Sequence, residues 1–246
     1  MRFRKRIRPC GKTAGAGLLV ALTLLAAEAS AQVDVALRRL LDTDDARAWA
    51  QAEDFLTSQP VDAYLPADVA LLGEVLRREQ IARFPGLIRV AGAVADASIW
   101  ANVPAELLAD EYVSQQVYYA RIRQGDGALA RDLVARLAEM PLSAAYAERL
   151  VPDLVYTRAR PVLDHLYALI SVPQVQCRSP NPYVEEPIDC GYAIAEQLAR
   201  ATEQFPVALD FEGMFDTDDY PAALARVRRW YASHRDAYVI DRSEIY

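Results

Sequence analysis

Lysine is missing beyond residue 12: Lys5 and Lys12 both lie at the amino-terminal end. Without it the rest of the chain can neither form a Schiff base nor complete a phosphate-binding loop that needs its lysine. The Gly11-Lys12-Thr13 run has no upstream glycine at the loop spacing. Histidine is almost as scarce, with His165 and His234 alone. Neither stands at a short ligand spacing from a cysteine or from the other, so a four-ligand zinc site has no sequence support. No G-x-S-x-G elbow marks a serine nucleophile. Long alternating runs of β-branched residues are also lacking, which leaves nothing that demands a sheet.

The opening is rich where the rest is poor. MRFRKRIRPCGK carries six basic residues and no acid, a small and apolar run follows from Ala14 to Ala27, and Ala29 and Ala31 then stand as the small residues before a cleavage point. A basic head, a short apolar stretch and an A-x-A site describe a secretory signal peptide over residues 1–31. The alternative is an uncleaved anchor, but an apolar run of about 14 residues is short against the roughly 20 needed to span a bilayer. The remaining chain, 32–246, is expected to be exported, to the periplasm or outside the cell. Losing the leader removes six of the 27 basic residues and one of the 34 acids, leaving 21 against 33, a net charge of −12. Such a chain repels nucleic acid and anionic lipid at long range.

Hydrophobic spacing points to helices almost throughout. In GALARDLVARLAEM, Leu129, Leu133, Leu137 and Met140 form one stripe, while Asp132 and Arg136 stand four apart and can pair. In ARPVLDHLYALIS, Pro161 stands at the first helical turn and Val162, Leu163, Leu166, Leu169 and Ile170 form the stripe. Pro152 is expected to kink or split the segment before it. Upstream, one helix is expected over PAELLADEYVSQQVYYARIR, with Leu108, Tyr112, Tyr119 and Ile122 inward. The motif Asp-Thr-Asp-Asp occurs twice, at 42–45 and 216–219, each time before a helix. A calcium loop would need a glycine at its turn; helix capping needs only the Asp or Thr oxygen. YVIDRSEIY at the carboxyl end reads as an extended tail.

The paired helices GALARDLVARLAEM and ARPVLDHLYALIS, with proline near the helix starts, resemble the HEAT type of α-solenoid repeat. Residues 105–171 carry the resemblance. Repeats of about 40–47 residues would fit four to five times. The resemblance implies an all-α fold, one domain over 32–246 built of stacked antiparallel hairpins, with a concave surface for a protein or peptide partner.

Two cysteines remain after the leader, Cys177 and Cys190, closing CRSPNPYVEEPIDC. An even pair in an oxidising compartment reads as a disulfide. Closing 14 residues is worth about 3 kcal/mol by the chain-entropy argument, and Pro180, Pro182 and Pro187 deny the segment a helix. The stapled loop is either a plain connector or a binding finger with Tyr183, Glu185 and Glu186 at its tip. A second candidate surface is RRWYASHR, where Arg228, Arg229, Trp230 and Tyr231 could anchor an anionic partner. The simpler reading of that cluster is a helix end whose arginines complement the dipole.

No motif calls for a cofactor or a metal. The expected function is therefore a non-enzymatic binding or scaffold protein outside the cytoplasm. Two alternatives stand beside it. One is a hydrolase or lyase working through paired carboxylates, with Glu185 and Glu186, Asp210 and Glu212, or Asp216, Asp218 and Asp219 as candidates. The other is a periplasmic inhibitor or immunity protein, whose acidic surface would block a basic target.

Overall fold

The computed structural model describes residues 30–171, 173, 175–177 and 187–246. Tyr183, Glu185 and Glu186 lie outside the described residues, as do positions 1–29 of the expected leader. The described chain is mostly helical, with one two-stranded ribbon.

Helix α1 covers residues 30–42 and buries Val33, Leu37 and Leu40. Helix α2 (Ala46–Thr57) starts where the Asp45 carboxylate accepts a hydrogen bond from the Ala48 N–H at 3.0 Å. Helix α3 (Pro66–Val75) opens on a proline, and α4 (Gly86–Val94) follows a 3₁₀ turn at Glu79–Arg83. Helices α5 (Ala105–Leu108) and α6 (Glu111–Arg123) break the single helix that the periodicity predicts. Asp110 causes the break, because its carboxylate accepts from the Tyr112 and Val113 N–H groups and restarts the helix. Leu108 and Tyr112 consequently face solvent instead of the core. Val113, Val117 and Ala120 take the buried side with Tyr119 and Ile122.

Helix α7 (Gly127–Ala138) buries Leu133 and Leu137, with the Asp132–Arg136 pair at 3.1 Å on its outside. Met140 lies past its end and is exposed. The segment before Pro152 opens into a π-helical turn, Tyr146–Leu150, and α8 (Val151–Tyr156) begins there. Helix α9 (Arg160–Ile170) carries Pro161 in its first turn. Strands β1 (Val175–Cys177) and β2 (Ile188–Asp189) pair antiparallel, and the Cys177–Cys190 disulfide closes the ribbon. Helices α10 (Gly191–Ala199) and α11 (Tyr220–His234) complete the set.

Helix α2 packs on α4, α4 on α6, α6 on α8 and α8 on α10; α7 and α10 pack on α9, with α11 against both α9 and α10. The buried apolar side chains form one cluster from Val33 to Ile245. Helices α4 and α6 approach closely because Gly92 has no side chain: a Cβ there would sit 2.5 Å from the Ala120 Cβ. Among the described residues, no helix is long and apolar enough to cross a membrane.

Candidate functional site

The densest polar chemistry lies where α4, α6, α8 and α10 end, under the tail that runs from residue 237 to 246. Each helix end leaves carbonyls without intrahelical partners and carries a partial negative charge. Guanidinium and amide groups answer them. Arg123, 3% exposed, donates to the Tyr156 carbonyl at 2.8 Å and to the tail carbonyls of Glu244 and Ile245 at 2.5 and 3.2 Å. Arg242 donates to the carbonyls of Arg123 (3.0 Å) and Arg158 (2.8 Å). Arg158, fully buried, donates to those of Val155 (2.9 Å) and Arg200 (3.2 Å). Gln124 closes α4 through the Ala95 and Asp96 carbonyls at 3.0 and 3.2 Å.

Helix-end dipoles thus supply much of the counter-charge for these arginines. Burial holds Arg123 below the usual guanidinium range, and burial together with the Arg123 charge pushes Arg158 down to about 10. Both stay protonated at neutral pH. Beside them Arg89 lies between the rings of Tyr156 and Tyr246, 5.2 Å from each centroid. Its guanidinium pairs with Asp153 and donates to Gln116 Oε1 at 2.9 Å.

A cleft of about 420 Å³ opens at this edge, lined in part by Gly92, Asp96, Arg123, Gln124 and Arg242. The Asp96 carboxylate accepts from the Ser98 N–H and hydroxyl, which lower its pKa. The acid is spent on that turn and the arginines on carbonyls, so this end of the molecule clasps the tail.

The histidines are occupied elsewhere. His165 Nε2 lies 3.2 Å from the Tyr146 hydroxyl; burial lowers the His165 pKa and pushes Tyr146 up to about 12, so the pair is neutral. His234 stacks on Trp230 with ring centroids 5.0 Å apart. Of the basic cluster on α11, Arg228 turns inward, donating to the Ile170 carbonyl at 2.5 Å and pairing with Asp189 at 2.7 Å. Tyr231 stacks on Tyr167 at 4.2 Å and donates to Asp164, while Trp230 leans on Phe205. Arg229 is exposed. The cluster is therefore divided between packing and surface. The candidate carboxylates are divided too: Asp219 caps α11 through the Ala222 N–H, and Asp210 accepts from the Glu212 and Met214 N–H groups. Among the described residues, no group of three or more His, Cys, Asp or Glu side chains is placed to hold a metal.

Sequence reasoning passes over one surface feature. Residues 208–216 form a tight hairpin: Leu209 bridges Phe215, and the Asp210 N–H donates to the Met214 carbonyl at 2.8 Å. Phe215 points into the core, 2% exposed; Phe211, at the turn, is 95% exposed. Asp at the first position of a turn and Gly at the fourth, as in Asp210-Phe211-Glu212-Gly213, is the signal that could have found it. Searched against protein-family models, curated proteins and solved structures, the chain matches none of them.

Proposed function

We propose that this chain is an exported, non-enzymatic binding protein: a short HEAT-like stack of helical hairpins, freed of its leader at Gln32, that holds a protein or peptide partner. The observation that carries the reading is the packing order. Every second helix from α2 to α10 packs on the next, which is how helical pairs build a continuous layer with an extended surface. The disulfide suits an oxidising compartment. The carboxylate-enzyme reading gains no support from Asp96 in the cleft, which is committed to its turn, or from Asp210 and Asp219, which hold the hairpin turn and the α11 cap.

The test has two parts. Expressed whole in its source cells, the chain should be recovered outside the cytoplasm, begin at Gln32, and take up thiol label only after reduction. Purified under mild conditions, it should keep a protein partner in constant ratio on a sizing column. Cytoplasmic recovery with Met1 in place and free thiols would sink the export half. Turnover of ester or glycan substrates with no retained partner would sink the binding half.

A further inference from the structure

Phe211 stands apart from the other exposed apolar residues. Val35, Leu65 and Tyr112 each keep at least a third of their surface covered, whereas Phe211 is 95% exposed and makes no packing contribution to the fold. Nor does it shape the turn. Asp210 does that, by accepting two backbone N–H bonds, and so does Gly213, whose φ of +82° is left-handed backbone that favours glycine. A Cβ at Gly213 would also collide with an Arg200 guanidinium nitrogen, so the end of α10 seats directly against the turn.

The base of the hairpin is held as firmly. Glu196 on α10 accepts from the Phe215 N–H at 3.1 Å, the Asp216 N–H donates to the Ala208 carbonyl at 3.0 Å, and Phe215 packs against Phe205 and Tyr220. An aromatic ring is thus presented on a backbone already held in place, so binding has only the ring's own rotamers left to order. Large aromatic side chains that enter a pocket at the centre of an interface are the side chains that dominate affinity.

The surroundings specify the occupant. Residues 201–219 contain six acids and no Lys, Arg or His; Arg200, seated against Gly213, is the basic residue beside them. Glu212, Asp216, Asp218 and Asp219 are exposed around the hairpin. A second copy of this chain, itself strongly acidic, would be repelled by that rim; a basic surface would be drawn to it.

We infer that the 208–216 hairpin is the docking element, inserting Phe211 into an apolar pocket on a basic protein partner whose Lys and Arg side chains meet the acidic rim. The inference rests on the binding-protein reading and names its surface and its partner's chemistry.

The test uses three baits made from the whole chain: wild type, Phe211→Ala, and Glu212→Gln with Asp218→Asn. Asp210, Asp219 and Gly213 are left intact because they build the turn and the cap, and equal melting temperatures check that all three baits are folded. Proteins of the source cells are captured on each bait, and any captured protein is purified and titrated against each by calorimetry. The expected partner is basic and binds Phe211→Ala about 30-fold more weakly or worse, the range of an interface hot spot. The acid-to-amide bait should bind several-fold more weakly at low salt and show a shallower loss of affinity with salt.

A partner that binds wild type and Phe211→Ala equally overturns the hairpin proposal and leaves the binding-protein reading standing. A partner that is acidic, or a wild-type chain that sediments as a Phe211-dependent oligomer, overturns the basic-partner assignment. No protein held by any bait overturns both readings.

Discussion

At Gly92 a single missing methyl group sets how two helices meet. A Cβ there would collide with the Tyr156 hydroxyl and lie 2.8 Å from the Ala120 Cα, and backbone cannot step aside as a flexible side chain can. Gly92→Ala should therefore cost about 2 kcal/mol, because overpacking outweighs the roughly 1 kcal/mol that alanine gains over glycine in a helix. Urea unfolding reads this directly, and an unchanged midpoint would show that the two helices can part freely. Glu196 makes a different prediction, in pH. Burial raises its carboxyl pKa, against the opposing bond from the Phe215 N–H. Below the ordinary carboxylate pKa both folded and unfolded states are protonated, and the group contributes nothing. As pH rises through that value toward the higher folded one, the unfolded chain ionises first and stability falls. Above the folded pKa the full cost of the buried charge stands. Glutamine keeps an oxygen for the Phe215 N–H and carries no charge. Glu196→Gln should thus be more stable than wild type near pH 7 and indistinguishable from it near about pH 3. A gain that persists unchanged at the acid end would mean that charge is not its cause.

Among the elements, helix starts follow local rules most closely. The two Asp-Thr-Asp-Asp motifs make the same cap: Asp45 and Asp219 accept from the N–H three residues on, while their own N–H groups donate to Thr43 and Thr217 at 3.1 Å. Asp45→Ala and Asp219→Ala should each cost about 1 kcal/mol, nearly additively because the caps serve different helices. Thermal melts of the two single variants and the double variant measure this; a loss well under about 0.5 kcal/mol at either site would mean water replaces the carboxylate. These caps, the Asp132–Arg136 pair and the turn at Pro161 are legible in the sequence because their causes span three or four residues. The break at Asp110 is hidden, since apolar residues continue on both sides of it and periodicity alone reads through. Arg228 cannot be placed from sequence either. Its inward turn depends on the Ile170 carbonyl and Asp189, which only the packing of α11 brings near. The Phe211 hairpin carries its own local signal, Asp210 and Gly213 at the first and fourth positions of a turn, but its acids read first as a possible carboxylate pair.

Across the whole molecule the tail does what no single helix can. Helices coupled only through neighbouring contacts can open piecemeal when that coupling is weak. Here residues 237–246 run across the ends of α6, α8 and α10. The Glu203 N–H donates to the Val239 carbonyl and the Asp241 N–H to the Ala201 carbonyl, both at 3.0 Å, tying the end of α10. Arg242 and the backbone of Glu244 and Ile245 tie the ends of α6 and α8 through Arg123 and Arg158. The Ser243 carbonyl accepts from the Val61 N–H at 2.8 Å, reaching the turn before α3. Ile245 is fully buried in the common core. Trp49 on α2 and Trp230 on α11 sit toward opposite ends of the chain and report on each region separately. With the tail in place, fluorescence from variants keeping only one of these tryptophans should follow the same urea transition as circular dichroism. A chain ending at Asp236 loses the brace and leaves Arg123 without its tail carbonyls, so it should unfold at lower urea and in two steps, with the two reporters parting. If the shortened chain still unfolds in one transition at an unchanged midpoint, the coupling resides in the helix-to-helix contacts and the tail is only a passenger.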